Sequence, residues 1–307
     1  MKRALVPLLA VAALVAGCGS AASSGSSGSG GSSSVSTDTA SGVLTAAQSA
    51  TKGATSAAFD AKLGVHITGN LKGAGAGAAL LSGPLTFDFK GHAGKGADGK
   101  PKFDVNFALN YTGGSFSGQA LTADGKVLYV QLPAVLGPGW RSVPLSGLSS
   151  AGSSNSTTSG GLAALKAEGL DPSRWLKNLS LSSSGGQDTI AADLNLPAVF
   201  ADIAKASTTP LSAKDKLQMA QVEKAVTQAH GSLSFDSSTH LPSDENVKFA
   251  MQIPPSMSGE ASGVKGVALS MDIKFSDWNQ DFSVTAPSGA KPLDAGGLFG
   301  GLSGTGA

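Results

Sequence analysis

Alternation of apolar and polar residues with a period of two runs through most of the chain and predicts β-strands. In the first half, the odd-numbered positions are the apolar ones, and the turn pair Asp124-Gly125 separates two of the predicted strands. The predicted strands cover 59–71, 85–89, 103–111, the residues around Leu121, 127–132, 190–196, 233–235, 247–253, 267–275 and 282–286. Because only one face of each strand is apolar, we expect an antiparallel sheet that is covered on one face.

Start signals and helical periodicity predict few helices. A short amphipathic helix precedes the first strand and is capped by Thr39 or Ser41, and two further short helices begin at Pro172 and Pro197. A longer helix is expected from Ser212 to His230, on the strength of its apolar stripe. The predicted fold class is therefore α+β, a curled antiparallel sheet, or half-barrel, with helices covering its concave face.

A wide curled sheet has a concave face that a few short helices do not easily fill. This geometry favours an apolar cavity, lined by the large aromatic and methionine side chains of the predicted strands. The candidate lining residues are Phe87, Phe89, Phe103, Phe107, Tyr129, Phe249, Met251, Met271 and Phe275. An ordinary filled core would place the same side chains on the same face, so both interpretations stay open at this level.

The first eighteen residues carry the most specific signal in the chain. Lys2 and Arg3 precede an apolar run over 4–16, which is too short to span a bilayer and is typical of a signal peptide. The run ends in Val15-Ala16-Gly17-Cys18, which resembles the lipobox of bacterial lipoproteins. That resemblance implies cleavage before Cys18 and lipid attachment, with acyl chains such as palmitate, to this cysteine. A lipid-anchored protein on the extracytoplasmic side of the cell membrane is expected.

Composition divides the rest of the chain into a domain with two flexible ends. After the signal peptide (1–17), the lipidated segment 18–40 is rich in Ser and Gly and is expected to be a flexible tether. An α+β domain follows over 41–286, and 287–307 is expected to be a disordered tail.

Charge and motif content exclude several classes of function. Charged residues make up 14% of the chain and the formal net charge is +1, so a nucleic-acid partner is not expected. Cys18 is the single cysteine, and the four histidines are too dispersed for a metal site. The Gly/Ala segment 73–78 lacks the following helix that a dinucleotide site needs. We therefore expect no cofactor, no metal, no catalytic residues and a monomer.

Two segments resemble a known family. TKGATSAAF (51–59) leads from a helix into a strand, and FSDWNQDFSVTAP (275–287) closes the last strands. Together with the lipobox they resemble the actinobacterial LppX, LprA, LprF and LprG lipoproteins and the wider LolA/LolB-like half-barrels, over 43–290. The resemblance implies lipid binding and lipid transport in the cell envelope, with a lipid or glycolipid ligand and no catalysis.

Two other functions compete with this expectation. The first is a structural or interaction lipoprotein with a filled core and a protein partner in the envelope. The second is an anchored hydrolase, which would need a cluster of Ser, His and Asp that the dispersed histidines do not indicate.

Overall fold

The structure is a computed structural model that describes residues 37–69, 83–96, 99–133, 137–145, 172–206, 212–254 and 263–293. Its contacts divide the chain into two compact units. Unit 1 comprises Met1–Ala54, Ile67–Gly75 and Thr157–Met271, and unit 2 comprises Thr55–His66, Ala76–Ser156 and Asp272–Ala307.

Twelve strands dominate the described residues. They are β1 (Ser56–Gly69), β2 (Leu85–Lys95), β3 (Pro101–Tyr111), β4 (Gly114–Thr122), β5 (Val127–Gln131), β6 (Arg141–Pro144), β7 (Leu176–Ser184), β8 (Gln187–Leu194), β9 (Val226–Asp236), β10 (Pro242–Gln252), β11 (Val264–Ser276) and β12 (Lys291–Pro292). Hydrogen bonds join them in the linear order β12-β6-β5-β4-β3-β2-β1-β11-β10-β9-β8-β7. Neighbouring strands within β1–β6 and within β7–β10 pair antiparallel, whereas β12 runs parallel to β6. The predicted large antiparallel sheet with few helices is confirmed, while its curvature and its covering by helices stay predictions.

Within the same described ranges, three α-helices and one short 3₁₀-helix accompany the strands. They are α1 (Ala40–Gly53), the 3₁₀-helix Pro172–Trp175, α2 (Leu196–Ala206) and α3 (Ala213–Ala225). Of the two caps predicted for α1, Thr39 is the one used, because its hydroxyl accepts a hydrogen bond from the Gly42 backbone N–H at 3.1 Å.

The prediction of one helix from Ser212 to His230 is wrong. The helix α3 ends at Ala225, and the next residue begins β9, which pairs with β8 and β10. The proposed apolar stripe is buried only in part, since Leu217 is 62% exposed whereas Ala225 is 6% exposed. Cross-strand pairing on both sides of β9 satisfies its backbone and outweighs the local helical pattern. The strand β7, which was not predicted, pairs with the other edge of β8.

The predicted turn at Asp124-Gly125 is confirmed and joins β4 to β5. Asp124 Oδ1 accepts hydrogen bonds from the Lys126 and Val127 backbone N–H groups at 2.8 and 3.2 Å, and these bonds lower the pKa of Asp124. Gly125 adopts φ +66°, a left-handed conformation that costs little without a side chain. The turn therefore fixes the register of this hairpin.

The core of unit 1 forms where α1 packs on the sheet. Val43 and Ala47 of α1 contact Ile190 of β8 and Phe235 of β9, and all four side chains are buried. Half-buried side chains complete the cluster, namely Ala40, Leu44, Leu181 and Leu233. The buried face of this amphipathic helix is thus centred on Val43 and Ala47.

A buried polar contact joins the 3₁₀-helix to α2 within unit 1. The Trp175 indole Nε1–H donates to Asp202 Oδ2 at 2.9 Å, and Arg174 Nη1 lies 3.4 Å from Asp202 Oδ1. Trp175 and Asp202 are 2% and 1% exposed, so these two donors give the carboxyl oxygens hydrogen-bond partners in a site from which water is excluded. Asn195 also donates to the Arg174 carbonyl oxygen, which holds the same turn in place.

In unit 2, the segment after β11 differs from the predicted final strand over 282–286. It crosses from β1 towards β6 without forming a strand, and Asn279 N–H donates to the Ser56 carbonyl oxygen at 2.9 Å. Phe282 stacks on His92 with ring centroids 5.7 Å apart and lies so close to Gly94 that a Cβ there would come within 2.8 Å of the ring. Residues Lys291–Pro292 then form β12, inside the range predicted as a disordered tail. Residues 294–307 lie outside the described residues.

We expect Asp202→Ala to destabilise the protein by about 3 kcal/mol, because it leaves the Trp175 indole N–H buried without an acceptor. Asp60→Ala is the matched control. Asp60 forms an exposed ion pair with Lys90 at 3.4 Å, and its loss should cost less than about 1 kcal/mol. Urea unfolding of both variants measures the difference, and equal effects of the two substitutions would contradict the structural role of Asp202.

Candidate functional site

One face of β1, β2 and β3 in unit 2 consists of apolar side chains held in register. Phe89 of β2 lies opposite Ala61 of β1 and Phe107 of β3, and the neighbouring cross-strand pairs follow the same rule. The members of this apolar face are Phe59, Ala61, Leu63, Val65, Leu85, Phe87, Phe89, Phe103, Val105, Phe107, Leu109 and Tyr111. The pairing therefore brings together four of the nine predicted lining residues, Phe87, Phe89, Phe103 and Phe107.

The apolar face is only half-buried. None of its large side chains reaches the burial of the core residues Val43, Val143 or Phe235, which are at most 2% exposed. None of the helices α1, α2 and α3 belongs to unit 2. An apolar surface of this kind, continuous over three strands and incompletely covered, is typical of a site where an apolar partner binds.

The other face of the same three strands is polar, and its acidic and basic side chains form ion pairs with one another. Lys62 lies 3.6 Å from Asp88, and Lys90 lies 3.4 Å from Asp60. Asn110 donates to Asp88 at 2.9 Å, so the carboxylate is shared by three strands. The ionic contacts are exposed and contribute little to stability, but they distinguish the two faces clearly.

Tyr129 is on the opposite face from Phe107, which corrects its predicted place among the lining residues. It pairs with Leu121 of β4, and Leu121 pairs in turn with Asp104 of β3. Directly opposed residues share a face, so Tyr129 lies on the side that carries Asp104. The apolar run 127–132 has no alternation from which its face could be read.

The remaining predicted lining residues fall in both units. Phe249 and Met251 of β10 and Met271 of β11 belong to unit 1, and Phe275 belongs to unit 2, where its ring lies 5.8 Å from that of Trp278. All four are half-buried, and along β11 the apolar side chains alternate with exposed ones. Their common role as a cavity lining stays a prediction.

Unit 1 contains a buried acidic side chain for which the described part of the chain offers no hydrogen-bond partner. Glu245 of β10 is 2% exposed, and neither carboxyl oxygen has a hydrogen-bond partner among the described residues. It lies opposite Leu233 of β9, which lies opposite Ile190 of the α1 core cluster. The carboxyl group is therefore on the apolar side of its strand.

Burial raises the pKa of Glu245 to about 8. Removal of water from the carboxylate is the cause, since no nearby group compensates for it. At neutral pH the side chain is thus largely in its uncharged, protonated form.

Glu245 lies outside the predicted strand, which began only at residue 247. The period of two contained the necessary signal. Val247, Phe249 and Met251 define the apolar side of β10, and one step back along the same alternation reaches Glu245.

The histidines do not gather into a metal site. Among the described residues no group of three or more His, Cys, Asp or Glu side chains could hold a metal ion. His230 of β9 contacts Asp193 of β8 at 3.0 Å, and Asn178 of β7 donates to the other oxygen of the same carboxylate at 2.8 Å. The hydrogen bonds from Asn178 and then His230 lower the pKa of Asp193, and this exposed cluster links β7, β8 and β9.

Cys18 and the rest of the predicted signal peptide and tether up to residue 36 lie outside the described residues. Within the part of the chain that the structure describes, no helix has the length and apolar character needed to cross a membrane.

Comparison with protein-family models and with curated proteins gives no match. Among solved structures, the chain is similar to the crystal structure of a "putative outer membrane lipoprotein-sorting protein domain" from Vibrio parahaemolyticus. The identity is 10%, the match covers 80% of this chain and 93% of that chain, and the TM-score is 0.23. A TM-score this low does not establish a shared fold.

We expect the free energy of unfolding to fall by on the order of 4 kcal/mol as the pH rises from about 4.5 to about 8. The reason is that the folded state holds the Glu245 proton more tightly than the unfolded state does. Glu245→Gln should remove this decrease and stabilise the protein above pH 8. Urea unfolding at a series of pH values measures how the free energy of unfolding changes with pH.

Glu223→Gln, at an exposed position of α3, is the control for this experiment and should keep the wild-type slope. If Glu245→Gln retained the wild-type pH dependence, a different group would be responsible for it.

Proposed function

We propose that this protein is a lipid-anchored protein of the cell envelope that binds a lipid or another long-chain apolar ligand and catalyses no reaction. The half-buried apolar face of β1, β2 and β3 is the observation that carries the proposal. Filled cores bury their phenylalanines, whereas Phe87, Phe89, Phe103 and Phe107 remain partly accessible in this chain. A ligand that covers them would gain about 25 cal/mol for each Å² of apolar surface removed from water.

The dimensions of the apolar face favour an extended alkyl chain as the occupant. From Phe103 to Tyr111 the side chains on this face follow β3 for about 26 Å, at about 3.3 Å per residue. One leaflet of a bilayer has a hydrocarbon region of about 15 Å, so a long acyl chain fits along the strand. The face carries no charged side chain until Lys95, which lies opposite Pro101 at its end, and this suits the tail of a lipid better than a polar peptide.

The lipobox-like segment ending at Cys18 supports the second part of the proposal. Acyl chains on this cysteine would hold the protein at the extracytoplasmic surface of the cell membrane, where its ligands are found. The Ser/Gly-rich segment that follows would keep the folded units within reach of the bilayer.

We expect the double variant Phe89→Gln/Phe107→Gln to bind long-chain lipids at least about tenfold more weakly, because it places two amides in the centre of the apolar face. The matched control is Lys90→Gln/Asn106→Gln. These residues also face each other across β2 and β3, but on the polar side. Native mass spectrometry of the full-length protein, released from detergent micelles with monooleoylglycerol, oleate, oleylamine and phosphatidylethanolamine, measures the occupancy.

Absence of lipid adducts on the wild-type protein would overturn the proposal and favour an envelope lipoprotein with a protein partner. Equal losses in the two double variants would show that the apolar face is not the binding surface.

We expect Cys18→Ser to abolish incorporation of labelled palmitate and to leave the protein unprocessed, because serine lacks the thiol that accepts the lipid. Ser20→Ala, two residues further along, should be labelled and processed like the wild type. Labelling followed by fractionation of the cells checks both. A Cys18→Ser protein that is still labelled and cleaved would refute the anchor.

A further inference from the structure

Glu245 calls for a physical explanation, because a buried polar group without a hydrogen bond costs free energy and is rare in folded proteins. It is 2% exposed, and both of its carboxyl oxygens lack a partner among the described residues. An apolar side chain of similar size would make the same position more stable. The acidic group thus costs stability without contributing to any contact of the folded chain that the structure describes.

The surroundings of Glu245 in unit 1 form a face with a polar end and an apolar row. Along β10, the side chains on the same face as Glu245 are Val247, Phe249 and Met251, and all three are half-buried. They extend over about 20 Å of strand beyond the carboxyl group. A buried polar group at the end of a partly accessible apolar row matches the form of an amphiphile, with one polar head and one alkyl tail.

Charge on this face decides which head group fits. On β8, β9 and β10 its ionisable side chains are Glu245 and Asp188, and Asp188 is already bonded, since Ser183 Oγ donates to its Oδ1 at 2.6 Å. An anionic head group would meet carboxyl groups and no basic side chain of these strands. A cationic head group would require an ionised Glu245, which burial disfavours. An uncharged head group avoids both costs.

A protonated carboxyl group has one donor and one acceptor, which is the complement of a hydroxyl group. We propose that Glu245 is the polar anchor of a binding site for an uncharged, hydroxyl-bearing amphiphile, such as a monoacylglycerol, whose alkyl chain lies along Val247, Phe249 and Met251. This inference rests on the proposed function in that it requires the protein to bind lipids, but it assigns a separate surface, on β10 of unit 1, and not the apolar face of β1, β2 and β3 in unit 2.

The test compares Glu245→Leu and Glu245→Gln in the full-length protein, with monooleoylglycerol, oleate and oleylamine as probes that share one tail and differ in head group. Native mass spectrometry of the protein released from detergent micelles measures the fraction of protein that carries each lipid.

We expect the wild type to prefer monooleoylglycerol and Glu245→Leu to bind it about tenfold more weakly, the equivalent of one buried hydrogen bond. Glu245→Gln keeps a donor and an acceptor and should stay within about threefold of the wild type. Glu223→Leu, at an exposed site on α3, is the control.

The outcomes separate this inference from the proposed function. Lipid binding that is unchanged in Glu245→Leu would overturn the anchor and leave the proposed function intact, whereas a wild type without any lipid would overturn the proposed function. A preference for oleylamine or oleate would also overturn the inference, because it would indicate a charged head group. Misfolding does not confuse the result, since Glu245→Leu removes an unpartnered buried carboxyl and should raise the unfolding temperature.

Discussion

Cross-strand register is the constraint on which the rest of this structure depends. Phe89 pairs with Phe107 on one face of β2 and β3, and Lys90 pairs with Asn106 on the other. A slip of one residue in this ladder would turn every phenylalanine towards the polar face and every charge towards the apolar one. Between β4 and β5, the turn at Asp124-Gly125 and the hydrogen bonds that its carboxylate accepts hold the register of that strand pair in place.

The two units use this alternation differently. In unit 1, α1 packs on β8 and β9 and buries Ile190 and Phe235 completely, so that part of the sheet has an ordinary core. In unit 2, Val130 and Val143 are buried on the apolar face, whereas its side chains on β1, β2 and β3 are only half-buried. The difference explains why the apolar face of unit 2 is a candidate binding surface, although its composition is that of a core.

Glu245 shows that a regular pattern can be broken at a place where stability would favour an apolar residue. The carboxyl group occupies a position of the apolar alternation of β10 and keeps its proton because water is excluded. Trp175 and Asp202 make the opposite arrangement, in which a buried carboxylate is satisfied by an indole N–H and a guanidinium. The contrast between a paired and an unpaired buried acid separates a structural contact from a candidate ligand contact.

Much of the fold followed from local pattern, because alternating apolar and polar residues identify a strand and its apolar side wherever the other face is exposed to water. The strands around Phe89, Phe107 and Met271, the cap at Thr39 and the turn at Gly125 were all predictable on that basis. Long-range pairing decided the rest.

Residues 226–230 look helical in isolation but form the start of β9, where they pair with β10, and the segment after β11 crosses towards β6 instead of turning back as a hairpin. The side on which Tyr129 lies and the burial of Glu245 depend on the same pairing. Sequence by itself determined which residues alternate, and only the tertiary structure decided which strands meet and which side chains lose their water. The reason is that periodicity is a property of neighbouring residues, whereas register and desolvation are properties of residues far apart in the chain.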